Sequence, residues 1–126
     1  MRPAARTLQR HAGHVLLLGG NEVMRKTALQ RIEICCNPRL LPEYTEIDVF
    51  RVLSRLLREE RDSNVRAALY SCLSKFAESA VLRERLLEAG VCVELRECQH
   101  REKDEALRSA AQECYNRIEA GVVVKL

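Results

Sequence analysis

The chain has no tryptophan, and phenylalanine and tyrosine make up only 4% of its 126 residues. A core of this composition must be built from Leu, Val, Ala, Ile and Cys, which suits closely packed helices. No stretch approaches the ~20 consecutive apolar residues that a membrane-spanning helix needs, and the run Val15–Leu18 is far too short. The sequence therefore predicts one soluble domain without a membrane span.

Motifs that accompany catalysis are missing as well. Gly19 and Gly20 are followed by Asn-Glu rather than by Gly-Lys-Ser/Thr, so they do not form a phosphate-binding loop. A catalytic Cys–His pair needs a buried and oriented histidine, whereas His11 and His14 lie in the N-terminal segment and His100 lies in a polar stretch. We therefore expect a protein that is not an enzyme and has no cofactor or small-molecule substrate.

Acidic pairs such as Glu59-Glu60 have the pattern of solvated charges at a helix end, and none stands out as a catalytic pair. The six cysteines, at positions 35, 36, 72, 92, 98 and 114, lack the Cys-x-x-Cys spacing of zinc sites. The nearest approach to such a site is Cys98 with His100 and Cys92. We expect no metal and reduced thiols that act as small buried apolar groups, which indicates a reducing compartment.

The net charge of +3 is unevenly distributed along the chain. Residues 1–20 contain Arg2, Arg6 and Arg10 and no acid, while residues 21–126 contain all 18 acidic residues and the remaining 18 of the 21 basic ones. A neutral body has no basic excess for neutralising phosphates, and no Lys/Arg cluster is interleaved with stacking aromatics. Nucleic acid is therefore not the expected partner, although balanced totals can still separate on a surface.

Two interpretations of residues 1–20 remain open. An arginine-containing segment without acids resembles a mitochondrial presequence, although this one lacks serine. Alternatively, Ala4–Leu18 is a basic first helix that ends at Gly19-Gly20. The first interpretation predicts a mitochondrial complex subunit, and the second a cytoplasmic protein, for example in a cytoskeletal or ciliary assembly.

One pattern occurs three times along the chain. The pattern is a capping residue, two further positions, an apolar residue and an arginine, and it occurs at Asn21–Arg25, Asp62–Arg66 and Asp104–Arg108. The three arginines are 41 and 42 residues apart. The capping side chains can accept hydrogen bonds from the free N–H groups of a first helical turn. They also precede the arginines by four residues, within reach of a side-chain pair on the helix surface. A period of this length is typical of a helical solenoid.

The three copies also share an apolar stripe. Counted from the apolar residue before each arginine, offsets 0, 4, 8 and 11 are apolar in every copy and fall on one helix face. Helical spacing is also found at Ile47–Leu57, Val81–Gly90 and Val91–Cys98. Loops are predicted at residues 42–46 and at Gln99–Lys103.

These stretches resemble the HEAT/armadillo superfamily of helical repeats. The segment Asp62–Leu69 resembles the start of a HEAT second helix, with Leu69 in place of the usual alanine. The segment Leu86–Leu95 resembles the armadillo junction between the first and second helices, where a glycine allows the turn. The resemblance covers residues 21–121 and implies an all-α fold, a short right-handed α-solenoid of about three helix units.

The resemblance also implies a function and a binding face. In this superfamily the second helices of the units line an inner face, and the aligned offsets here place Gln30, Ser71 and Glu113 on it, with Lys75 and Arg117 further along. Importin-type armadillo proteins carry Trp and Asn at such positions, so the resemblance does not extend to a nuclear-import-signal receptor. It implies a non-catalytic protein–protein interaction scaffold or adaptor, a small subunit of a larger assembly.

Two further expectations concern the ends of the repeat domain. The apolar tail Val122–Leu126 is β-leaning and is a second candidate contact, since it could add to a neighbour as an extended segment. Neither end of the sequence has the polar pattern of a capping repeat, which predicts that one end packs on another subunit. An RNA-binding helical-repeat protein is the remaining alternative, which the neutral body disfavours.

Overall fold

The computed structural model describes residues 12, 15, 16 and 20–123, and within these residues the regular structure is entirely helical. The described helices are α1 (Glu22–Ile34), a 3-10 turn (Pro38–Leu40), α2 (Leu41–Glu46), α3 (Val49–Glu59), α4 (Ser63–Phe76), α5 (Ala80–Glu88), α6 (Val91–Arg101) and α7 (Glu105–Val123). The predicted all-α class is confirmed. No described helix has both the length and the apolar character needed to cross a membrane.

Each of the three repeated capping residues begins a helix. Asn21, Asp62 and Asp104 accept hydrogen bonds from backbone N–H groups two or three residues ahead, at N···O distances of 2.9–3.1 Å. These bonds satisfy N–H groups that have no partner within the helix. They set the starts of α1, α4 and α7, as the sequence predicted.

Two residues with positive φ turn the chain into α3 and α6. Gly90 has a φ of 80° and Asp48, 42 residues earlier, has a φ of 54°. Glycine adopts this left-handed backbone without steric cost, and aspartate tolerates it better than most residues. Each turn separates a short helix from a longer one, and the glycine turn lies where the sequence predicted it.

The helices pack in two layers. α4 lies between α1 and α7 and packs against both, while α3 and α6 pack against each other in the second layer. Two contacts show that α1 and α4 run in the same direction. At the start of α1, Arg25 donates to Glu60, which lies just before α4. Near the end of α1, Glu33 accepts a hydrogen bond from Ser71 in the second half of α4. The first turns of these helices therefore lie along one edge of the layer.

The core contains most of the predicted apolar stripe. Seven members of the stripe are fully buried: Ile32, Val65, Leu69, Leu73, Phe76, Ala111 and Ile118. Tyr44, Phe50 and Phe76 form an aromatic cluster that joins α2, α3 and α4, with ring centroids 5.2–6.1 Å apart. Such edge-to-face and tilted pairs add to the stability gained by burying the rings. Met24, at offset 0 of the first copy, is 47% exposed, so the stripe is less complete in α1.

Two predicted loops are helical. Residues 42–46 belong to α2, because Pro42 lies in the first turn, where its missing N–H costs no helical hydrogen bond. The helix α6 extends into the predicted loop Gln99–Lys103 as far as Arg101. Arg101 fastens this last turn by donating to the carbonyl oxygens of Leu57 and Arg58 at 2.8 and 3.0 Å.

The C-terminal helix differs from the predicted secondary structure of the tail. α7 runs on to Val123, so Val122 and Val123 are helical rather than extended, and residues 124–126 lie outside the described residues. The last helix exposes the polar side chains Ser109, Gln112 and Asn116, and the last two hydrogen-bond each other at 3.0 Å. The C-terminal helix therefore has a polar outer stripe.

Part of residues 1–20 belongs to the core. Ala12, Val15 and Leu16 have helical backbone, and Ala12 and Leu16 are 1% and 0% exposed. Arg55 of α3 donates to the carbonyl oxygen of Leu16 at 2.9 Å. The rest of the predicted helix Ala4–Leu18 lies outside the described residues.

Candidate partner-binding surface

The five residues predicted to face a partner are all exposed. Gln30 lies on α1, Ser71 and Lys75 lie one turn apart on α4, and Glu113 and Arg117 lie one turn apart on α7. α4 packs against both α1 and α7, so the three helices that carry these residues are neighbours. We call these five residues the exposed row.

Local contacts hold several side chains of the exposed row. Ser71 donates to a carboxylate oxygen of Glu33 at 2.8 Å, which links α4 to α1. Lys75 pairs with Glu78 at 3.3 Å, and Arg117 pairs with Glu113 at 2.8 Å. Exposed ion pairs of this kind contribute about 0–1 kcal/mol each, so they can be exchanged for contacts with a partner at little cost.

Sequence reasoning missed Glu33 as part of this surface. Its carboxylate reaches Ser71 only because α1 packs along α4, and nothing in the local sequence of either helix indicates the contact. Ile34, the next residue, is 81% exposed and adds an apolar group beside the row.

Two of the three repeated arginines bind distant glutamates rather than the capping residues. Arg25 Nε and Nη2 donate to the two carboxylate oxygens of Glu60 at 2.6 and 3.0 Å. Arg66 makes the same two-pronged contact with Glu102, at 2.8 and 3.1 Å. The capping side chains lie within reach of these arginines in the sequence, but they accept hydrogen bonds from backbone N–H groups instead.

The two glutamates are buried by these contacts. The side chains of Glu60 and Glu102 are 3% and 4% exposed, so the interpretation of Glu60 as a solvated helix-end charge is wrong. Hydrogen bonding to Glu60 raises the pKa of Arg25, and hydrogen bonding to Glu102 raises the pKa of Arg66. Both guanidinium groups therefore stay cationic and neutralise the carboxylates.

Glu102 has one further partner. The Tyr70 hydroxyl donates to Glu102 Oε2 at 2.6 Å, and burial together with this bond raises the pKa of Tyr70. Arg66 and Tyr70 both lie on α4, while Glu102 follows α6, so the three side chains tie the two layers together.

Arg108, the third repeated arginine, has no such partner. Its Nε and Nη2 donate to the carbonyl oxygens of Glu102 and Lys103, both at 3.3 Å. No carboxylate in the described part of the chain forms an ion pair with it. The same sequence motif therefore produces two buried ion pairs and one exposed arginine.

The environments of Cys36, Cys92 and Cys114 do not favour thiol chemistry. Burial raises the pKa of Cys114 and of Cys92 to about 12 and that of Cys36 to about 11. Thiols with raised pKa values stay protonated near neutral pH and react slowly. Cys98 donates to the carbonyl oxygen of Leu57 at 3.2 Å, and His100 is exposed. Among the residues that the structure describes, no three His, Cys, Asp or Glu side chains are grouped as metal ligands.

Comparisons with known proteins add no family to this picture. The sequence matches no protein-family model, and no curated protein matches it.

Proposed function

We propose that the protein is a non-catalytic protein–protein interaction scaffold or adaptor, a small subunit of a larger assembly. The observation that supports the proposal is the packing of α4 against both α1 and α7, together with the exposure of the predicted partner-binding residues on all three helices. A partner would contact the exposed row by hydrogen bonds and charge pairs.

The same packing supports a short α-solenoid built from HEAT/armadillo-like units. Two contacts with the same geometry, Arg25–Glu60 and Arg66–Glu102, connect successive segments of the chain that are 35 and 36 residues apart. Repetition of one contact between neighbouring units is what a stacked repeat requires. The right-handed superhelix and the number of units stay predictions.

The first-helix interpretation of residues 1–20 has structural support. Ala12 and Leu16 are part of the buried core, and removing residues 1–20 would delete both and the Arg55–Leu16 hydrogen bond. We therefore favour retention of this segment and a cytoplasmic location over a cleaved mitochondrial presequence. Mass spectrometry of the N-terminal peptide of protein isolated from its native cells tests this directly: a peptide beginning after residue 16 would contradict it.

Site-specific photo-crosslinking tests the scaffold proposal. A photoreactive amino acid is placed at Ser71 in the exposed row, or at Arg51 on α3 as a matched control whose side chain is 84% exposed. We expect Ser71, and not Arg51, to crosslink one protein in native cells. That protein, once purified, should bind the wild-type chain and bind a Lys75→Glu/Arg117→Glu variant at least about tenfold more weakly.

Two results would contradict the proposal. One is crosslinking of the same proteins with equal yield from both positions, which indicates random encounters. The other is unchanged affinity of the Lys75→Glu/Arg117→Glu variant for the purified partner, provided that its circular dichroism and melting temperature match those of the wild type.

A further inference from the structure

A cleft of about 880 Å³ lies between the corner that joins α3 to α4 and the corner that joins α6 to α7. Five basic and three acidic side chains line it. The basic residues are Arg58, Arg61, Arg66, Arg101 and Lys103, and the acidic residues are Glu59, Glu60 and Glu102. We call this surface the corner cleft, and it goes beyond the exposed row, which lies further along α4 and α7.

Two of the three acids do not present their charge to solvent. Glu60 is held by Arg25, and Glu102 is held by Arg66 and Tyr70, so their oxygens already accept charged or hydroxyl hydrogen bonds. Their side chains are only 3% and 4% exposed. Glu59 is the one acid of the lining that is open to water.

Several basic side chains of the corner cleft, by contrast, have no carboxylate partner. Arg61 and Lys103 are exposed, and their side chains make no hydrogen bond or ion pair with any residue that the structure describes. Arg108, beside the second corner, donates only to carbonyl oxygens. Arg58 pairs with Glu94 at 3.1 Å, so the lining cations without a carboxylate partner are Arg61, Arg101 and Lys103, and they give the corner cleft a local positive charge.

Three hydrogen bonds fix the orientation of the Arg101 guanidinium group. Its Nη1 donates to Arg58 O at 3.0 Å, and its Nη2 donates to Leu57 O at 2.8 Å and to Cys98 Sγ at 3.4 Å. These acceptors carry no full charge, so the guanidinium stays uncompensated. A guanidinium has five N–H donors, which leaves two of them for a ligand. The two donors left are Nε–H and one Nη1–H, which point in different directions, so each can give one charge-assisted hydrogen bond to a carboxylate oxygen.

We infer that the corner cleft binds an acidic peptide segment of a partner protein. Its carboxylates would meet Arg101, Arg61 and Lys103, with Arg108 at the rim. The lining contains no aromatic side chain on which bases could stack, which disfavours single-stranded nucleic acid. The exposed Glu59 would repel a continuous row of phosphates but can be avoided by a peptide whose acids are spaced apart.

Fluorescence anisotropy of the purified full chain tests the inference. The probe is a fluorescein-labelled peptide of alternating Glu and Gly, compared with its Gln-Gly counterpart and with an oligothymidylate of the same net charge. The cleft variant is Arg61→Gln/Lys103→Gln. The matched control is Arg39→Gln/Lys26→Gln, which makes the same charge change at two exposed residues outside the cleft.

We expect the Glu-Gly peptide to bind with an affinity that falls with salt, and the Gln-Gly peptide not to bind. The cleft variant should weaken binding about tenfold and the control by less than about twofold, because only the former loses contacts with the ligand. Three results would each overturn the inference. The two variants could weaken binding of the Glu-Gly peptide equally, the peptide could fail to bind at low salt, or the oligothymidylate could bind more tightly than the peptide.

Discussion

Replacing Arg66 with methionine removes two donors from a buried carboxylate. Arg66 binds Glu102 through Nε and Nη2 at 2.8 and 3.1 Å, and after the substitution only the Tyr70 hydroxyl, at 2.6 Å, remains. Breaking a buried ion pair costs about 3–5 kcal/mol because an uncompensated charge is left behind. Since the Arg66 side chain is 22% exposed, water can reach the site, and we expect a loss of about 2–3 kcal/mol in the free energy of unfolding.

The repeated motif supplies two matched comparisons. The substitution Arg25→Met breaks the same contact with Glu60, which is buried to a similar degree, so we expect a similar loss of about 2–3 kcal/mol. Arg108→Met removes only two 3.3 Å hydrogen bonds to carbonyl oxygens at an exposed position, and we expect less than about 1 kcal/mol. The three arginines occupy equivalent positions in the sequence, so the difference tests the tertiary contacts alone.

Urea unfolding followed by circular dichroism at neutral pH measures these losses, provided that the slope of the transition is unchanged between variants. In thermal unfolding, about 4 °C is expected per kcal/mol for a domain of this size, or about 8–12 °C for Arg66→Met. Adding Glu102→Gln to Arg66→Met should recover about 1 kcal/mol, because the buried charge is removed with its partner. Equal losses for Arg66→Met and Arg108→Met would refute the reasoning.

The remaining predictions concern the core, the helix junctions and a thiol. Leu69→Ala, at a fully buried site of α4, should cost about 2–5 kcal/mol in urea unfolding, and a loss below about 1 kcal/mol would show that the site is not packed as described. Asp48→Gly should raise the melting temperature, because glycine adopts the φ of 54° without strain. Gly90→Ala should lower the melting temperature because of its φ of 80° alone, since no atom lies within 4 Å of the added Cβ. Shifts of the same sign for the two variants would contradict this. Burial raises the pKa of the Cys114 thiol from its ordinary 9.0 to about 12. Between these pH values the folded chain keeps a proton that the unfolded chain has released. The free energy of unfolding therefore falls by about 1.4 kcal/mol for each unit by which the pH rises. Cys114→Ala should make this decline shallower in urea titrations at pH 9 and above, and an unchanged slope would exclude Cys114 as its source.

Several features of the candidate surface could be predicted from the sequence. The resemblance to helical repeats predicted that Gln30, Ser71 and Glu113 project from one face at aligned offsets, and all three are exposed. This worked because the side chains of an α-helix repeat every 3.6 residues, so burial of one face determines exposure of the other. Whether a partner occupies the surface stays a prediction.

Other features could not be predicted because they depend on residues far apart in the chain. Glu60 follows the exposed Glu59 and has the same local pattern, yet its side chain is buried because α1 brings Arg25 to it from 35 residues away. The balanced charge of the body gave no indication of the positive corner cleft, which exists because Arg25 and Arg66 bury two acids while Lys103 stays exposed.

The sequence by itself determined where three of the helices start. Asn21, Asp62 and Asp104 act within three residues of their own positions, and Gly90 determines one turn through its own backbone freedom, so no distant contact is needed. The tertiary structure alone decided which side chains meet. An ion pair between Arg66 and Glu102 requires two helical layers to bring together residues separated by 36 positions, and its strength depends on how completely that packing excludes water.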